Sequence, residues 1–129
     1  MKPTKLLLIA AAIFMMNSAY AVQYKFVAKD NSVYTKMCVL AGNNEQEALK
    51  KILKRQRERV KTLANTTRCN DMYIANFAKT YHADLTFEYL KKYTRSDILD
   101  KAPKVSIQDI ARVNKGKSTE EIILVYVGN

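Results

Sequence analysis

Few side chains in this chain carry chemistry, and their spacing narrows what they can do. Cys38 and Cys69 are the two cysteines and His82 the one histidine. A redox pair would want Cys-x-x-Cys, and a zinc site would want further ligands; neither pattern is present. A single histidine excludes a metal cluster built on imidazoles, and no cofactor or metal is expected. His82 falls at the end of a predicted helix, where an imidazolium suits the dipole. Asp97 with Asp100 and Glu120 with Glu121 are formal acid pairs, but surface carboxylates at such spacings are common. Gly-x-Ser-x-Gly, phosphate-loop and dinucleotide patterns are absent. The tyrosines suit a core and its hydrogen-bonding edge. Asn65-Thr66-Thr67 is a glycosylation sequon. No catalytic residue is assigned.

The strongest charge signal lies between residues 50 and 61. Lys50, Lys51, Lys54, Arg55, Arg57, Arg59 and Lys61 face a single acid, Glu58, in a chain of formal net charge +10. Such a run can attract phosphate-rich surfaces, including anionic lipid headgroups. It can also speed encounter with an acidic protein, or serve as a solvated outer face. Nucleic acid is disfavoured, because no zinc finger or aromatic RNA-binding signature accompanies the charge.

The first residues give an expected address. Lys2 and Lys5 precede the apolar run Leu6–Met16, and Asn17–Ala21 is a short polar exit ending Ala19-Tyr20-Ala21. That order is the order of a cleavable signal peptide, with the cut after Ala21. The run is too short to span a bilayer, which takes ~20 residues. Val22 rather than a cysteine follows the cut, so no lipid anchor is expected. The expected location is periplasmic or secreted. There an even cysteine count favours a disulfide between Cys38 and Cys69, the competing pairing being one between two chains.

These residues need elements to hold them. Residues 22–129 are one domain's worth of chain, with no second long apolar run and no linker. Val22–Ala28 alternates like a strand. Asp30-Asn31-Ser32 offers caps for a helix over Val33–Ala41, with Gly42 as a left-handed stop. Glu45–Ala64 reads as one long helix. Ala48, Leu49, Ile52, Leu53, Val60 and Leu63 fall within an arc of roughly 140°, and most of the basic run lies opposite. Asn70-Asp71 can cap a helix over Met72–His82. Asp84 starts another, with Leu85, Tyr89 and Tyr93 on one face. Ser96–Ala102 is a short turn of helix ended by Pro103. Ile122–Val127 is a strong strand. Val105–Val113 is ambiguous between strand and helix, and Val105–Gln108 and Gln23–Ala28 are the available partners for the last strand.

Phe26-Val27-Ala28-x-Asp30-Asn31-Ser32, Cys38, Cys69-Asn70, Phe77-Ala78 and Tyr81-x-Ala83 together resemble domain-of-unknown-function family 3718, small exported bacterial proteins. The resemblance runs over Phe26–Ala83 and departs at His82, where family members carry glycine. It implies a Gram-negative envelope protein with a structural cysteine pair, and it carries no activity. The combined expectation is a small single α+β domain of several short helices, tied by one disulfide. A small antiparallel sheet would be drawn mainly from the C-terminal part. Its expected role is that of a non-catalytic envelope protein, binding an anionic membrane surface or acidic envelope protein through the basic helix. The alternative is a small periplasmic enzyme with a cleft around Asp84, Glu88 or Asp97.

Overall fold

Alternation in the first strand sets the inner and outer sides of the sheet. In β1 (Val22–Ala28), Tyr24 and Phe26 turn toward the core, while Gln23 and Lys25 stay exposed. The computed structural model describes residues 22–101, 110–113 and 121–128. The expected signal peptide, Val105–Gln108, Pro103 and Glu120 lie outside the described residues. Ser32 caps α1 (Val33–Gly42) as expected, its hydroxyl accepting from the Thr35 N–H at 3.1 Å. Then follow α2 (Gln46–Arg55), α3 (Val60–Thr66), the strand pair β2 (Arg68–Cys69) and β3 (Met72–Tyr73), and α4 (Ile74–Thr80). The remaining elements are α5 (Asp84–Lys91), α6 (Ser96–Leu99), β4 (Ile110–Val113) and β5 (Glu121–Val127). The fold is α+β.

Two of the three strands in the main sheet come from the C-terminal part, and β5 lies between the other two. The sheet is mixed rather than wholly antiparallel: β4 pairs antiparallel with β5, but β1 runs parallel to it, Val22 opposite Glu121 and Ala28 opposite Val127. Parallel pairing needs a long crossover, and here the whole helical region supplies it. Ile110–Val113 is thus strand, which resolves the C-terminal half of the ambiguous segment. Ile123, Val125 and Val127 join Phe26 on the buried side, against Met37, Leu49, Leu53, Leu63, Phe77 and Leu90 of the helices. Phe26, Phe77 and Tyr81 meet edge-to-face with centroids 4.9–5.5 Å apart, and Tyr24 meets Tyr81 at 5.0 Å.

A disulfide joins Cys38 on α1 to Cys69 on β2, with Cα atoms 5.7 Å apart and both cysteines fully buried. The segment after Cys69 is not a helix cap. Asn70 and Asp71 both have positive φ, 47° and 64°, and form the two-residue turn of the β2–β3 hairpin. Two successive left-handed residues give the turn whose twist matches a hairpin, and Asn and Asp tolerate that region best after glycine. The helix therefore starts later than expected, at Ile74.

Gly42 also differs from its expected role. It belongs to α1 and has no positive φ; the left-handed residue is Asn44, φ 62°. Asn44 N–H donates to the Ala41 carbonyl and Glu45 N–H to the Leu40 carbonyl, the crossed pair of a Schellman motif. Glycine is required at 42 for a different reason. A Cβ there would sit 2.6–2.8 Å from ring carbons of Phe26. The end of α4 repeats the motif, with His82 N–H to Lys79 and Ala83 N–H to Ala78. His82 takes the left-handed place at φ 57°, a conformation glycine adopts without steric cost.

Candidate functional site

The expected single basic helix is two helices. Gln56 is extended, ψ 151°, and Arg59 is extended at the start of α3, so the backbone bends through residues 56–59. No glycine or proline forces this. A straight helix over Glu45–Ala64 would be ~30 Å long, about the full diameter of a small domain. Folding back instead buries Leu49 and Leu53 from α2 and Leu63 and Ala64 from α3 in one core. Like charges that a continuous helix would bring together across the bend, Arg55 with Arg59 and Arg57 with Lys61, further weaken continuation. The Gln56 side-chain amide closes the end of α2, donating to the Ile52 carbonyl at 3.1 Å.

The seven basic residues consequently separate. Lys50 is half-buried and held. Its Nζ meets Glu47 Oε1 at 2.7 Å and Gln46 Oε1 at 3.2 Å, and stands 5.3 Å from the Tyr89 ring centroid. The hydrogen bond from Lys50, with its charge, holds the Glu47 carboxyl below its ordinary range. Burial pushes the Tyr89 phenol up, and neighbouring Tyr93 adds to it. Lys51, Lys54, Arg55, Arg57, Arg59 and Lys61 are all exposed, and none has a carboxylate partner among the described residues. Glu58 accepts from the Tyr34 hydroxyl at 3.4 Å. The bend thus presents six cationic side chains on the ends of two helices and the turn between them.

Asparagines hold the frame around this segment, a role the sequence reading did not give them. Asn44 Oδ1 accepts from the N–H groups of Leu85 and Thr86, capping α5 from a distant turn. Asn65 donates to the Lys61 and Tyr93 carbonyls and accepts from Arg95 N–H at 2.8 Å. The sequon asparagine is therefore a structural clasp between α3 and the end of α5. Asn70 donates to the Tyr126 carbonyl and accepts from Gly128 N–H, fixing the hairpin to the sheet. Asn76 Nδ2 donates to the Ile98 carbonyl at 2.8 Å, tying α4 to α6. Little local marks these residues, because apart from Lys61, four positions from Asn65, each partner is more than twenty positions away.

The acids proposed for an enzyme do not converge. Asp84, Glu88 and Asp97 are exposed; Glu88 pairs with Lys91 at 3.5 Å and Asp97 with Arg95 at 3.2 Å. Of Leu85, Tyr89 and Tyr93, expected on one face of this helix, Tyr89 is buried and the other two are exposed; Thr86 and Leu90 complete the buried face of α5. The displaced carboxyls, Asp30 through Ser32 hydrogen bonds and Glu47 through Lys50, move down, away from a general acid. Among the described residues, no group of three His, Cys, Asp or Glu could hold a metal, and no helix is long and apolar enough to cross a membrane. A cleft of about 500 Å³ lies elsewhere, between β1 and the two Schellman turns. Tyr24, Phe26 and Tyr81 line it, with Glu45 and His82.

The fold and these surfaces define a small disulfide-tied α+β domain with a bent cationic flank. The family described as Protein of unknown function (DUF3718) matches residues 37–112, and the chain belongs to that family. The match takes in both cysteines, begins after the Phe26–Ser32 pattern and runs on past Ala83. No curated protein and no solved structure matches the chain.

Proposed function

We propose that this is an exported, non-catalytic envelope protein that docks peripherally on an anionic lipid surface. The docking residues are Lys51, Lys54, Arg55, Arg57, Arg59 and Lys61. The observation that carries the reading is their exposure around the 56–59 bend, none of them in an ion pair with a carboxylate among the described residues. Lys50 is outside the set because it is committed to Glu47 and Tyr89. The leader pattern supports export. Peripheral contact is favoured over insertion because the apolar sides of α2 and α3 are spent in the core.

The test is co-sedimentation of oxidised residues 22–129 with phosphatidylglycerol-containing and pure phosphatidylcholine vesicles, at low and high salt. Each basic residue near a charged leaflet contributes about 1 kcal/mol. Replacing Arg57 and Arg59 by glutamine should therefore weaken binding to anionic vesicles about 30-fold. Binding should vanish at high salt and be absent on phosphatidylcholine. Equal binding to both vesicle types, or binding unchanged in the double variant, would refute the reading.

A further inference from the structure

We propose that the free edge of β1 accepts an extended acidic peptide as a fourth strand of the sheet. Three observations meet there. First, the strand order β1-β5-β4 leaves β1 at an edge, with no strand beyond it among the described residues. Lys29 N–H donates to the Val127 carbonyl, so by strand alternation Gln23, Lys25 and Val27 bond toward β5. The N–H and C=O groups of Tyr24, Phe26 and Ala28 point the other way, and an open row of this kind is a template for another strand.

Second, the cleft of about 500 Å³ lies directly along that edge, lined by Val22, Gln23, Tyr24 and Phe26 on one side. The Asn43–Glu45 and Tyr81–Ala83 turns form the opposite wall. The volume is in the range of ligand sites. An open edge with a pocket beside it is the arrangement by which sheets capture peptides, the main chain giving affinity and alternate side chains specificity.

Third, the alternation of β1 prescribes the pattern of the guest. Residues opposite Tyr24 and Phe26 turn to the same side as those rings, into a cleft whose turns also bring Asn43, Asn44, Glu45 and His82, and should be apolar where they meet the rings. The residue between them faces Lys25 on the outer side, where an opposite charge is favoured and a like charge disfavoured. The motif is apolar–acidic–apolar. Lys25 also argues against a second copy as the occupant. A two-fold antiparallel pairing centred on β1 sets Lys25 against itself, a device by which edge strands avoid self-association.

The probe is acetyl-Thr-Phe-Glu-Val-Thr-amide, with a lysine-centred counterpart, followed by amide NMR and hydrogen exchange on the oxidised domain. The glutamate peptide should shift and protect the Tyr24 and Phe26 amides, and the lysine peptide should bind about five-fold more weakly. Lys25→Glu, at an exposed position, should reverse that preference. Loss of the preference without reversal would overturn the proposal. So would glutamate-peptide binding that leaves these amides unchanged, since it would then reside on the basic bend. Protection of the same amides that grows with protein concentration and needs no peptide would assign the edge to a second copy, against the proposal. No binding of either peptide at millimolar concentration would also overturn it.

Discussion

Gly42→Ala should destabilise this protein although it places a better helix former in a helix. Propensity alone favours alanine over glycine by ~0.8–1.0 kcal/mol. The added Cβ, however, would meet three Phe26 ring carbons at 2.6–2.8 Å, where ordinary contact begins at 3.4 Å. The ring cannot simply step aside, because Phe77 and Tyr81 stand edge-on against it at 5.5 and 5.2 Å. Overpacking of a filled core costs ~1–3 kcal/mol. The net expectation is a loss of about 1 kcal/mol, lowering Tm by about 4–8 °C for a domain of this size. Thermal and urea unfolding followed by circular dichroism would measure it. The decisive comparison is the same substitution made with Phe26→Leu, whose smaller side chain relieves the contact. In that background Gly42→Ala should turn neutral or stabilising. If it raises Tm in the natural chain, or costs the same in both backgrounds, the clash argument fails.

The disulfide should carry a large part of the stability. Cross-linking Cys38 to Cys69, 31 positions apart, is worth ~3–4 kcal/mol in the chain-entropy model, so Cys38→Ala with Cys69→Ala should lower the urea midpoint strongly, and unchanged melting would exclude that account. Acid should also destabilise the fold. Asp30 and Glu47 have carboxyl pKa values depressed in the folded state, by Ser32 and Lys50 respectively. Their contribution is complete above their unfolded values, near pH 4, and is lost as pH falls through the lower folded values. Asp30→Asn with Glu47→Gln should flatten stability between pH 5 and about 2, as urea titrations at fixed pH would show.

What could be read from the residues depended on whether their determinants were local. Ser32, Asp84 and the β-branched run at Ile122–Val127 announce their elements through neighbours in sequence, and each forms as expected. The disulfide followed from composition, the family from short patterns around it. Periodicity misled at Glu45–Ala64, because the arc of apolar residues holds across a bend that only tertiary packing imposes. Gly42 and Asn70-Asp71 take roles other than the expected ones for a related reason. A glycine after a helix and a polar pair before one fit common caps, but Phe26 dictates the first and hairpin twist the second. The basic run was legible as charge. Its division into a held Lys50 and six exposed partners was not, since that depends on Tyr89 from another helix. The cleft was invisible because its walls come from three separated stretches of chain.

The pairing of β1 with β5 has a consequence for the order in which the molecule can assemble. The first described strand waits for the last, and among the described residues β4 pairs only with β5. A chain emerging amino-terminus first can close its helices and the Cys38–Cys69 loop early, since their contacts are nearer in sequence. Its sheet cannot nucleate until β5 has been made. Through that interval β1 holds Tyr24 and Phe26 with both backbone edges open, the state in which strands mispair. Long-range parallel pairing is slow to form, so the delay is built into the topology. Loss of the last ten residues would then leave a helical, disulfide-closed half with an unfinished aromatic strand at its front.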